Sequence, residues 1–175
     1  MVGVCGAGSE RGHLSLGVME GSKVRIRRAS AADAADAARL LHDFNTEYDE
    51  PSPGVAALTE TVGRLIEDGE IAVLFGGEGP DGIAVMRLRP ALWASGQEAY
   101  LQELYVAPGL RRQGIGRALL EATMAAAREA GATRVDLNTG ESDTEARALY
   151  ESAGFTNREG SPDGPSMLFY ERELD

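Results

Sequence analysis

Residues 98 to 131, EAYLQELYVAPGLRRQGIGRALLEATMAAAREAG, constrain this chain more than any other stretch. Tyr, Leu and Val crowd the first nine residues, as in a strand. Ala107-Pro108-Gly109 breaks that run, because proline has no backbone N–H and glycine tolerates a reversal. A basic loop follows, then Gly114-Ile115-Gly116, then a long Ala/Leu/Arg/Glu segment of high helix propensity. Ile115, Leu119, Ala122 and Ala126 recur at helical spacing, and Gly131 stands where a C-terminal cap belongs. The stretch predicts a strand, a glycine turn and a helix in direct succession. A helix start carries unpaired N–H groups and a positive dipole end. The glycines clear the approach, and Arg111, Arg112 and Arg117 add positive charge, so the unit reads as a phosphate-binding loop.

Two common phosphate ligands fit poorly. A nucleotide P-loop needs Lys-Ser or Lys-Thr after its glycines, and neither follows here. A dinucleotide fingerprint needs a third glycine, where this chain has Leu119. Asp136 does lie about twenty residues on, the distance of a ribose-binding acid, but inside an apolar run. The pattern R-R-Q-G-I-G after Val106-Ala107-Pro108 resembles the signature of the GNAT superfamily of acyl-CoA-dependent N-acyltransferases. A-R-A-L-Y-E-S-A-G-F, residues 146–155, resembles that family's second signature, in the right order. The resemblance runs from Val24 to the C-terminus.

The rest of the chain narrows the function further. At 175 residues it fits one domain with a real core. No apolar run approaches the length that spans a bilayer. A single cysteine, Cys5, excludes an internal disulfide framework and suits a reducing, cytoplasmic setting. His13 and His42 are far apart and offer no metal cluster, so no metal is expected. A formal charge of −11 repels nucleic acid and anionic membrane, and favours cationic partners. The arginines by the glycines run against that background.

In chain order, residues 1–22 are Gly-rich and aperiodic, and read as a flexible leader before a domain at 23–175. Residues 24–28 predict an edge strand. Ser30 caps a helix running to Tyr48, and a second helix spans 55–68. Residues 70–75 and 82–88 predict two strands joined by a Gly-rich turn. Trp93 is expected as a packing anchor. Residues 134–137 predict a strand, Asp143 or Ser142 a cap, and the next helix ends at Gly154. Residues 155–158 and 166–173 predict two closing strands. One parallel pair around the glycines and antiparallel hairpins elsewhere give a mixed, mostly antiparallel α/β (α+β) sheet flanked by helices.

An amine attacking a thioester needs a base for its proton and a donor for the leaving thiolate. Alternation places Leu101, Glu103 and Tyr105 on one strand face, where a carboxylate among apolar groups suits a general base. The family resemblance agrees, since an acid on this strand often serves as base. It also implies Tyr150 as the acid near the coenzyme sulfur. Main-chain groups of Leu104 and Val106 would pair with the pantetheine arm. The amides of Arg112, Gln113, Gly114, Ile115, Gly116 and Arg117 would hold the pyrophosphate, with Arg111 and Arg112 near the adenosine phosphate. Where the family often has Asn, this chain has Asp143, which cannot donate as Asn does. The acid-aromatic segment with Phe44, Glu47 and Tyr48 suits a cationic amine, and this connection commonly lines the acceptor site in the family. These implications amount to a single GNAT-like domain using acetyl-CoA as co-substrate to acetylate a small-molecule or protein primary amine. A homodimer is also admitted. A non-catalytic acyl-CoA sensor and a dinucleotide-binding protein stay open as alternatives.

Overall fold

The computed structural model describes residues 24–174. The expected leader, with Cys5 and His13, lies outside the described residues. Five strands form one sheet in sequence order: β1 (Ile26–Arg28), β2 (Ala72–Gly76), β3 (Gly82–Pro90), β4 (Gln97–Val106) and β5 (Ala132–Asp136). The first four pair antiparallel, and β4–β5 is parallel, as the glycine-turn unit requires. Helix α3 (Ile115–Glu129) makes that crossover. Helices α1 (Ala34–Glu47) and α2 (Val55–Glu67) precede β2, and α4 (Thr144–Ser152) follows β5.

Ser30 opens the first helical region as expected. Its amide and hydroxyl both donate to the Asp33 carboxylate, at 2.8 and 2.9 Å, and a short 3-10 turn then leads into α1. The run A-V-L-F-G of β2 is buried throughout, because helices cover both of its faces. Val73 and Phe75 pack with Ile83, Val85 and Tyr105 against Ala37, Leu40 and Val62 of α1 and α2. Leu74, Ala84 and Leu101 pack against Ile115, Leu119 and Leu120 of α3. Leu119 is fully buried, so cutting it to Ala costs about 2–5 kcal/mol.

Leu101, Glu103 and Tyr105 do not share a face. Tyr105 opposes Ile83 and Glu103 opposes Val85, but Leu101 opposes Met86, which leaves Gln102 as an extra residue. This β-bulge reverses the alternation. Leu101 therefore joins the α3 side, while Glu103 and Tyr105 lie on the side of α1 and α2.

Two further expectations fail. The predicted closing strands are reduced to one antiparallel bridge, Arg158 to Ser166, with Met167 N donating to Asn157 O at 2.7 Å. Among the described residues, no strand flanks the segment beyond Met167 to pair with it. Leu168, Phe169 and Tyr170 stay exposed there. Trp93 is also no packing anchor: it sits in the β3–β4 turn and is 92% exposed.

Candidate active site

After β4 the chain makes a 3-10 turn at Pro108–Leu110, then becomes extended at Arg111. Arg112 (φ 63°) and Gly114 (φ 87°) both take left-handed backbone, which turns the chain into α3. Ala118 is the first amide to rejoin the ladder, donating to Gly114 O at 3.0 Å. The consecutive amides of residues 112–117 have no acceptor among the described residues. Unpaired donors at a helix start form a ready anion cradle. Gly114 is needed for its conformation. Gly116 has ordinary backbone, and a Cβ there would only touch Leu149 at 3.5 Å and Val106 at 3.7 Å.

The three arginines near the cradle are each engaged by the protein. Arg111 donates to Glu47 of α1 at 2.7 Å and, through Nε, to the Val106 carbonyl at 2.9 Å. Its guanidinium also lies 5.7 Å from the centre of the Tyr105 ring. It ties the loop to α1. It also occupies one of the β4 carbonyls expected to face pantetheine. Arg112 pairs with Glu145 at 2.8 Å, where both side chains are largely exposed, so this contact exchanges easily with solvent or an anion. Arg117 donates to Ser152 of α4 at 3.0 Å. Gln113 is exposed, and the Ile115 side chain belongs to the core.

The cradle adjoins a split in the sheet. β4 pairs with β5 only from Gln97 to Tyr100, so residues 101–106 have a strand neighbour on one side alone among the described residues. The Tyr100 hydroxyl donates to Asn138 just beyond β5, at the point where the strands separate. Leu104, Val106 and Leu110 pack with Ala146, Leu149 and Tyr150 of α4 beside that opening. Asp143 caps α4, accepting from Ala146 N at 3.0 Å.

Here one proton-handling candidate, Tyr150, senses the charge of the other, Glu103. Burial raises Glu103 above the usual carboxylate range, partly opposed by a hydrogen bond with Gln102. Burial, with the charges of Asp143 and Glu103 behind it, pushes the Tyr150 phenol up to about 12. The Tyr150 ring meets Phe155 edge-on at 6.0 Å, and its hydroxyl has no hydrogen-bond partner among the described residues. A carboxylate that holds protons more readily and a phenol that keeps its proton are suited to opposite halves of a proton relay.

At the other end of Glu103's face, the end of α1 meets β4. Phe44 lies 5.2 Å from Tyr48 and 5.3 Å from Tyr105, ring centre to ring centre. Glu47 stands beside them but is neutralised by Arg111, so the expected cationic-amine contact begins as an internal ion pair. Sequence reading gave no binding role to Tyr105, Tyr100 or Gln102. Tyr105 had a signal in its strand position, whereas the bulge at Gln102 had none.

Site and fold together define an α/β domain with an amide cradle beside a parallel strand pair that splits open. The chain belongs to the acetyltransferase (GNAT) family, whose model matches residues 37–155, and it is an acetyltransferase. It is 32% identical over 139 residues to the uncharacterized N-acetyltransferase YhfO of Bacillus subtilis (strain 168), covering 78% of this chain and 93% of that one. It is 31% identical over 146 residues to the aminoglycoside N(6')-acetyltransferase type 1 of Stenotrophomonas maltophilia, covering 81% and 92%. A crystal structure from Arthrobacter sp. FB24, assigned to the acetyltransferases, superposes with a TM-score of 0.79 at 44% identity, covering 86% of this chain and 96% of that one. The span that the family model matches contains both signatures found in the sequence.

Proposed function

We propose that this protein transfers acetyl from acetyl-CoA to a primary amine by direct attack, with Glu103 as base and Tyr150 as acid. The observation that carries this reading is the row of partnerless amides at residues 112–117 beside the open edge of β4. Neutral N–H donors in a row suit a pyrophosphate, and an open strand edge suits an amide-bearing arm. Family membership adds acetyl-CoA as the co-substrate these proteins generally use. The named aminoglycoside relative makes a small-molecule amine the natural first acceptor to test.

In this mechanism the acceptor ammonium gives its proton to Glu103, directly or through water. The freed nitrogen lone pair bonds to the thioester carbonyl carbon, and the C–S bond breaks. The departing sulfur takes the Tyr150 proton, the acetylated nitrogen gives up its second proton to solvent, and solvent then returns one proton to the phenolate and takes the one held by Glu103. Burial makes Glu103 a stronger base, and Tyr150, raised to about 12, holds a proton at neutral pH for the departing sulfur to draw on.

Acetyl-CoA should raise the melting temperature through its affinity for the folded state, while NAD, ATP and ADP-ribose raise it much less. Amines are then screened for CoA thiol release. Equal stabilisation by all four ligands overturns the ligand assignment, and thiol release independent of added amine overturns the reaction.

A further inference from the structure

The sheet face beside Glu103 carries a groove that proton transfer does not use. Glu70, Arg87, Leu88, Arg89 and Tyr100 line it around about 330 Å³. Register places it next to the base. Glu103 opposes Val85, and Arg87 is two residues further along β3, opposite Tyr100 and on the same face. Two strand residues span about 7 Å, so Arg87 starts only a short molecule's length from the base.

The Arg87 guanidinium is oriented without being used up. Its Nε donates to Oε1 of Gln102, the bulge residue, at 2.7 Å. Its only ion-pair neighbour among the described residues is Glu70, at 3.9 Å, beyond hydrogen-bond reach. Arg89 differs: Glu98 at 3.0 Å and Asp136 at 3.4 Å hold it on the sheet. Arg87 thus keeps N–H groups free to grip a planar anion, within a chain of net charge −11.

We propose that this groove binds an anionic group of the acceptor, making the substrate class a primary amine that also carries a carboxylate. The amine meets Glu103 while the carboxylate takes the hydrogen-bond positions on Arg87 that Glu70 does not fill. Tyr100 supplies the wall between them. This inference rests on the proposed acetyl transfer to an amine. A phosphate would meet the same arginine fork, so the test separates the two anions.

The experiment measures kcat/KM for acetyl transfer to matched pairs: lysine against cadaverine, ornithine against putrescine, and O-phosphoethanolamine against ethanolamine. In the wild-type protein, the carboxylate members should exceed their partners by about tenfold or more. Arg87→Gln should collapse that ratio towards one. Glu70→Gln removes the competing carboxylate and should increase it, a movement that general loss of structure does not produce. Preference confined to the phosphate pair reassigns the groove to phosphate and overturns the carboxylate class. Equal rates within every pair, or a ratio unchanged in both variants, overturns the groove itself. If no amine supports thiol release, the acetyl-transfer reading fails, and this inference falls with it.

Discussion

At the residue scale, the proposed role of Glu103 as base runs against stability. Its folded pKa is raised by burial, so the folded state holds its proton more tightly than the unfolded state does. Below the unfolded pKa both states are protonated and nothing is lost. The penalty grows as pH rises from the unfolded pKa to the folded one, and it is complete above the folded pKa. Glu103→Gln should therefore melt at a higher temperature than wild type at pH 7, an advantage that shrinks in acid. The same variant should turn over about 10²–10⁴-fold more slowly and lose the acidic limb of its rate profile. A lower melting temperature with normal turnover would assign Glu103 to structure alone. Tyr150→Phe keeps the ring that packs on Phe155 and removes only the hydroxyl. Its melting temperature should hold while its rate falls most with poor leaving thiols. Because Tyr150 stays protonated to about 12, wild-type rates should show no alkaline limb from it near neutrality.

At the element scale, the loop before α3 separates two glycines that look equivalent in sequence. Gly114 sits at φ 87°, where an L side chain costs about 1–2 kcal/mol. Gly114→Ala should lower the melting temperature by about 2–4 °C per kcal/mol lost in a chain of this size, and calorimetry should find weaker acetyl-CoA binding as the amides reorient. Gly116→Ala puts a methyl group in ordinary contact with Leu149 and Val106 and improves helix propensity, so it should leave both measurements nearly unchanged. A second element-level device holds the split in place. Glu98 receives Arg89 at 3.0 Å and Arg134 at 3.2 Å, and Asp136 receives both at 3.4 and 3.0 Å, which staples β3, β4 and β5 together below the opening. Glu98→Ala should destabilise by about 1 kcal/mol, less at high salt, as thermal melts at two ionic strengths would record.

At the scale of the whole molecule, the field and the site oppose each other. The chain carries −11, yet its candidate anion site is built from neutral amides whose neighbouring arginines are largely paired internally. Salt should therefore speed acetyl-CoA association by screening the overall repulsion, the reverse of an electrostatically steered site, as stopped-flow fluorescence can measure. The sequence alone carried the strand–turn–helix unit, the parallel pair it forces, and the anion cradle. Each depends on local chemistry: proline and glycine breaks, helical spacing, and N–H groups that a first turn leaves unpaired. It also indicated the helices and the central strands, because their apolar periodicity is read along the chain. Tertiary structure decided what each side chain meets. The Gln102 bulge moved Leu101 to the other face from Glu103, and Arg111 found Glu47 sixty-four residues away. Trp93 and the Leu168–Tyr170 run were left without the partners their composition called for, since a strand or anchor exists only where a neighbour arrives. Arg87 reads as one more strand residue until register sets it near Glu103. Backbone chemistry is local and legible in sequence, whereas burial, ion pairing and proton affinity belong to contacts between distant segments and arise only when the chain closes.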